Sequence, residues 1–122
     1  MKFLSWDDGR QLSGYSKMLL AISERFKFDV YLIRIPDGCG VPKHRDPAKE
    51  GFDHHRVNIA INKPSLGTGN MHIAGPAKKF LFDRIIYFRP DLYVHSMDPV
   101  DFIWSDHSAY ILSIGWLRKS KK

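Results

Sequence analysis

Cysteine is almost missing from this chain: Cys39 is the single one among 122 residues. No internal disulfide can form, and a reducing, cytoplasmic setting is the expectation. Long apolar runs are missing too. None approaches the roughly 20 residues that cross a bilayer, so no membrane role is expected. Met1-Lys2-Phe3-Leu4-Ser5-Trp6-Asp7-Asp8 lacks the apolar core of a signal peptide. There is no internal repeat, no low-complexity tract and no strand–helix–strand rhythm, which argues against a parallel sheet with crossover helices.

What is present fits one folded unit, residues 1–122, because domains of about 100–150 residues hold one core. Apolar residues make up 43% and charged residues 26%, the balance of a globular protein rather than a disordered one. The net charge of +6 hints at an acidic partner or nucleic acid. It falls to +2 once Arg118, Lys119, Lys121 and Lys122 are set aside. The basic character is therefore a tail, residues 118–122, and not a property of the whole surface.

Residues 5–26 read as one amphipathic helix. Leu12, Tyr15, Leu19, Ile22 and Phe26 recur at steps of three and four, and Ser5 with Asp8 offers a capping box. Its expected place is outside a sheet. From Phe28 the pattern changes. Val30-Tyr31-Leu32-Ile33 and Ile35 form a β-branched and aromatic run ended by Pro36-Asp37-Gly38. His55 to Asn62 alternates, with Val57, Ile59 and Ile61 on one face and Arg56, Asn58, Ala60 and Asn62 on the other. Met71–Ile73, two pieces broken at Asp83-Arg84 between Lys79 and Phe88, Leu92–His95, Phe102–Trp104 and Ala109–Leu117 complete about eight short strands. Closely spaced strands of this kind predict a mainly β fold, a double-stranded β-helix or jelly roll, over about 28–118.

The chemistry centres on Pro42-Lys43-His44-Arg45-Asp46-Pro47 and on His95. His44 and Asp46 are two apart, so on an extended segment both side chains point to one side. With one remote imidazole they compose a 2-His-1-carboxylate set, which occupies one face of an ion and leaves the other open, as in non-haem Fe(II) oxygenases. The competing reading is an exposed polar turn and, for His95, a hydrogen-bonded core histidine. Arg56 shares its face with Asn58 and the small Ala60, leaving room and donors for an anionic guest. Its structural alternative is an ion pair with Glu50 or Asp53. His54 and His55 are adjacent and therefore face opposite ways, one toward solvent and one toward the site. His72 and His107 read as turn or surface residues, and Trp6, Trp104 and Trp116 as core or interface aromatics.

Several segments together resemble the prolyl-hydroxylase-type Fe(II)/2-oxoglutarate oxygenases, over about residues 28–118. Arg34-Ile35-Pro36-Asp37-Gly38 followed by His44-x-Asp46 is similar to their strand, glycine turn and first two ligands. Arg56 to Asn62 with Gly67-x-Gly69-Asn70-Met71 is similar to the next strand and turn. Phe88-x-Pro90 leading to His95 resembles the strand of the distal histidine, and Ile111 to Arg118 the closing strand. The Arg56-x-Asn58 strand also resembles that of aspartyl/asparaginyl β-hydroxylases. The resemblance implies iron held by His44, Asp46 and His95, a cosubstrate 2-oxoglutarate held at Arg56 with Asn58, O2 as oxidant, and a hydroxylated product. Peptide or protein side chains are the implied substrates, and the basic tail keeps nucleic acid open. This chain departs from the family in two places. No arginine or lysine stands in His107-Ser108-Ala109-Tyr110, and Ile35 replaces the first-strand tyrosine. Arg84, Lys63 and Tyr110 are the other candidates for the far carboxylate. Three further readings share these residues: a cupin-like metal protein that adds Glu50 as a ligand, a zinc hydrolase, and a non-catalytic jelly-roll binding module.

Overall fold

A computed structural model describes residues 4, 6–8, 14–46, 50–62, 70–81, 84–99 and 108–120. Among them every regular element is a strand. Ten are present: β1 Trp6–Asp8, β2 Ser16–Ser23, β3 Phe28–Pro36, β4 Val41–His44, β5 Phe52–Ala60, β6 Met71–Ile73, β7 Lys78–Phe80, β8 Ile85–Phe88, β9 His95–Met97 and β10 Ser108–Lys119. They form a seven-stranded sheet in the order β1-β2-β3-β10-β5-β8-β7 and a three-stranded sheet in the order β4-β9-β6. All pairings are antiparallel.

The closing strand β10 lies at the centre, between β3 and β5. Its alternation explains why. Ala109, Ile111, Ser113 and Gly115 are buried, while their neighbours are only partly so. Small or branched side chains on the inward face let two flanking strands approach, and Ile35, Ala109, Ile111 and Tyr15 close into an apolar cluster. Asn62 ends β5 by accepting from the Tyr110 N–H and donating to the Ser108 carbonyl, which ties the start of β10 to the strand it pairs with. The break expected at Asp83-Arg84 falls between β7 and β8.

The helix expected over 5–26 is overturned. Ser16–Ser23 is β2, an eight-residue strand paired with β3, and Trp6–Asp8 pairs with β2 in turn. Of the proposed stripe, Tyr15 and Leu19 are buried, whereas Ile22 and Phe26 are 49% and 69% exposed; Leu12 lies outside the described residues. The helical spacing was a coincidence within Met18-Leu19-Leu20-Ala21-Ile22, a run that is apolar whichever period is imposed on it. Helix propensity is a weak prior, and pairing with β3 satisfies a row of backbone groups that a helix would leave open. Tertiary pairing wins.

Candidate metal centre

β4 and β9 are partners in the small sheet, with His44 directly opposite His95. Their rings lie 4.2 Å apart, centroid to centroid. Asp46 follows two residues after His44, and its backbone N–H donates to the Pro90 carbonyl at 2.9 Å. Pro90 is itself fully buried, so this anchor does not drift. The neighbouring turn is held by Arg89, which donates to the His54 carbonyl at 2.8 Å and grips Asp91 through two N–H groups at 2.7 and 2.9 Å. Burial alone would raise the Asp91 carboxyl. The Arg89 hydrogen bond, the His54 N–H and the Arg89 charge outweigh it and hold the group below its ordinary value.

The carboxylate of Asp46 stands between the two imidazoles, 3.6 Å from His44 Nε2 and 3.5 Å from His95 Nε2. Both separations exceed a hydrogen bond. The other nitrogen of each ring is engaged by its own strand: His44 Nδ1 lies 2.8 Å from the Pro42 carbonyl and His95 Nδ1 lies 3.1 Å from the Tyr93 carbonyl. A carbonyl only accepts, so Nδ1 donates in each ring and Nε2 is the ring atom turned toward the carboxylate. One ligand atom from each residue lies within 4.8 Å of the others. Atoms bound at about 2.1 Å to one ion stand roughly 3.0–3.4 Å apart at octahedral or tetrahedral angles, slightly closer than the two carboxylate–imidazole separations, each of which runs to a different oxygen of Asp46. The donor set fits a divalent cation. Carbonyl-fixed tautomers of this kind are what orient imidazoles at metal sites.

Burial grades across the centre. His95 is 6% exposed and packs edge-on against Phe88, while His44 and Asp46 open onto a cavity of about 260 Å³. That size suits a small molecule, at the low end of ordinary ligand pockets. The far wall is polar. Arg56 donates to Ser113 Oγ at 2.8 Å and to Asp29 Oδ1 at 2.7 Å, and Ser113 passes the chain on to Asn58 Oδ1 at 2.6 Å. Arg56 is therefore paired with Asp29 and not with Glu50 or Asp53, the acids nearest in sequence. Glycine makes this reach possible. Gly115 lies between Arg56 and Asp29 across three strands, and a Cβ there would overlap the guanidinium.

His54 and His55 face opposite ways. His54 lines the cavity, with its Nε2 3.3 Å from Arg56, and His55 stacks outside on Tyr87 and Trp116. His72 pairs with Asp98 at the surface, and His107 and Trp104 lie outside the described residues. Asp29, Ser113, Gly115, Lys17 and Tyr31 escaped sequence reasoning, although Lys17 and Tyr31 both line the cavity. Asp29 alone left a trace, as an acid inside the apolar run Phe28-Asp29-Val30-Tyr31.

Burial, and then the adjacent Arg56 charge, lowers the His54 pKa below its ordinary value. The unfolded chain therefore takes up that proton first, and stability falls as pH drops from about 6.5 through the depressed value. Urea unfolding followed from about pH 7.5 down to about pH 5 should show this loss, and His54→Gln should flatten it. An unchanged slope in the variant would assign the pH dependence elsewhere.

Two opposed antiparallel sheets, a closing strand at the centre of the larger one and a histidine–carboxylate–histidine set facing the enclosed space define the architecture. This is a cupin-like double-stranded β-helix. No family model and no curated protein matches the sequence. Solved structures do. A prolyl-4-hydroxylase from Pseudomonas putida superposes with a TM-score of 0.62 at 12% identity, covering 94% of this chain and 78% of that one. The viral collagen prolyl hydroxylase of Paramecium Bursaria Chlorella virus-1 gives 0.59 at 14%, covering 92% and 83%. A cupin-2 domain from Rhodospirillum rubrum gives 0.59 at 9%, covering 99% and 76%. Identities this low establish the β-helix itself, and hydroxylases and cupins share it equally.

Proposed function

We propose that this β-helix is an Fe(II)- and 2-oxoglutarate-dependent oxygenase that hydroxylates a C–H bond of its substrate. The observation that carries the reading is the set His44, Asp46 and His95, with both Nδ1 atoms held by backbone carbonyls and both Nε2 atoms facing one carboxylate. Three protein donors leave half of an octahedron open, which is the stoichiometry a chelating oxoacid and O2 require. With iron and 2-oxoglutarate bound, O2 chemistry supplies the oxidising power, and succinate and CO2 leave as co-products.

The chain's own residues have separate tasks. His44 and His95 contribute neutral nitrogen donors, and Asp46 offsets part of the ion's charge. Phe88 closes the buried side of His95 against water. Arg56, with Asn58 and Ser113, forms the polar part of the cavity wall, the side on which a carboxylate of the cosubstrate would be held. A peptide or protein side chain is the substrate class favoured by likeness to prolyl hydroxylases.

One observation favours a second reading, a cupin-like metal protein that binds its ligand without 2-oxoglutarate. The charge of Arg56 is already matched by Asp29 at 2.7 Å. Anaerobic titration of the Fe(II)-loaded protein with 2-oxoglutarate separates the two. A visible absorption band in wild type that His95→Ala lacks supports the oxygenase. Iron bound with no band, and no change in iron affinity on adding 2-oxoglutarate, moves the assignment to the second reading.

A further inference from the structure

The outer face of the seven-stranded sheet is more apolar than the inner one. Following the register across all seven strands, one outward row reads Trp6, Met18, Leu32, Leu112, Ile59, Ile85 and Phe80. Not one of these side chains is charged. The next row carries Ala21, Val30, Ile114, Val57 and Tyr87 and ends on Lys78 at the edge strand, and the third carries Ser23, Phe28, Trp116 and His55. An antiparallel sheet with one solvated face ordinarily puts polar residues outside and apolar ones inside. Here Asp29, Arg56, Asn58 and Ser113 stand on the inner face among apolar residues such as Ile33, Ile35 and Ile111, while the outer rows carry little that is polar.

The extent of the face says what covers it. With strands about 4.8 Å apart and same-face residues about 6.8 Å apart, rows of seven, six and four positions cover roughly 550 Å² in projection. The largest apolar patch on a typical monomer is about 300–600 Å² of accessible surface, which for corrugated side chains exceeds its projection. A standard protein interface buries about 800 Å² on each partner, which this face is large enough to supply. It is a ladder and not a groove. The third row is flat, with His55 stacked on Trp116 at an interplanar angle of 10° and on Tyr87 at 13°. Such a surface is complemented by another sheet, about 10 Å away with strands nearly aligned. A second copy of this chain carries that sheet, and a two-fold axis makes one patch complementary to itself.

The interior supplies the energetic reason. Among the described residues only Tyr15, Leu19, Ile35, Ile86, Phe88, Ala109 and Ile111 are buried and hydrophobic. A small β-helix that gives part of its inner wall to a polar network has less apolar area to bury internally. Pairing outer faces restores it.

We infer that the protein is a homodimer in which the outer faces of two seven-stranded sheets pack together, leaving the two cavities pointing away from each other. Leu112 and Ile114, on the central strand, sit in the middle of the contact. The inference stands whatever the cavity binds.

Sedimentation velocity over a low- to high-micromolar series tests it. Wild type should sediment as a dimer, and Leu112→Lys and Ile114→Lys as monomers with unchanged far-ultraviolet circular dichroism. Should the lysine variants fail to fold, wild type alone decides. Dilution through the dissociation range should make tryptophan emission more quenchable by acrylamide, because Trp116 leaves the interface. A wild-type monomer at every concentration overturns the inference. So does a dimer that folded lysine variants retain, or quenching that stays constant while the dimer dissociates.

Discussion

Gly115→Ala is expected to cost about 1–3 kcal/mol of stability and to lower the melting temperature by several degrees. One methyl group would do this. The Cβ of an alanine would overlap the guanidinium of Arg56, with the glycine backbone fixed between two strands. Neither flanking strand can retreat without breaking its ladder with β10, so the guanidinium moves. It then loses Asp29 and Ser113 together. Separating a mostly buried ion pair leaves each charge poorly solvated, which is why the loss exceeds that of an exposed pair. Arg56→Met with Asp29→Asn removes both charges and should recover part of the loss in the Gly115→Ala background. Thermal unfolding of the four proteins checks this. A Gly115→Ala protein as stable as wild type would mean that the guanidinium has another place to go.

The second large effect concerns the metal. Fe(II), supplied anaerobically at about one hundred times its dissociation constant, should stabilise wild type by about 2.7 kcal/mol, a rise in melting temperature of several degrees. His44→Ala should abolish the rise. That substitution removes one of three donors on a partly exposed strand end, so the fold itself should survive. Asp46→Asn keeps the shape but exchanges a charged donor for a neutral one, and should weaken binding by at least the tenfold to hundredfold typical of altered ligand support. A melting shift that persists in His44→Ala would remove His44 from the ligand set. Glu50→Ala gives the converse control, because the cupin-like reading alone asks that residue to bind metal.

Much of the β architecture was legible from residues 28 onward. Runs such as Val30–Ile35 and the alternation Val57, Ile59 carry a period of two, and Gly and Pro mark their ends. Ser16–Ser23 reads as helix instead of strand because Met18–Ile22 is apolar at every position, so no period discriminates the two. The spacing His44-x-Asp46 was visible because a strand places alternate residues on one side. Arg56 was visible as a cation on the cavity face. Its partner was not, because Asp29 is 27 positions away and meets it only across an intervening glycine strand.

By itself the sequence determined the strand-rich class, the absence of an internal disulfide, the pairing of His44 with Asp46 and the alternation that puts Arg56 and Asn58 on one face. These are local properties, set by chain stereochemistry over a few residues. Tertiary structure decided that His95 stands opposite His44, that Ser16–Ser23 joins the sheet, that Asp29 takes Arg56, and which face of the large sheet is turned outward. Each of these depends on the register between strands distant in sequence. Register is chosen by the whole sheet at once, since a slip of one residue exchanges the two faces of a strand.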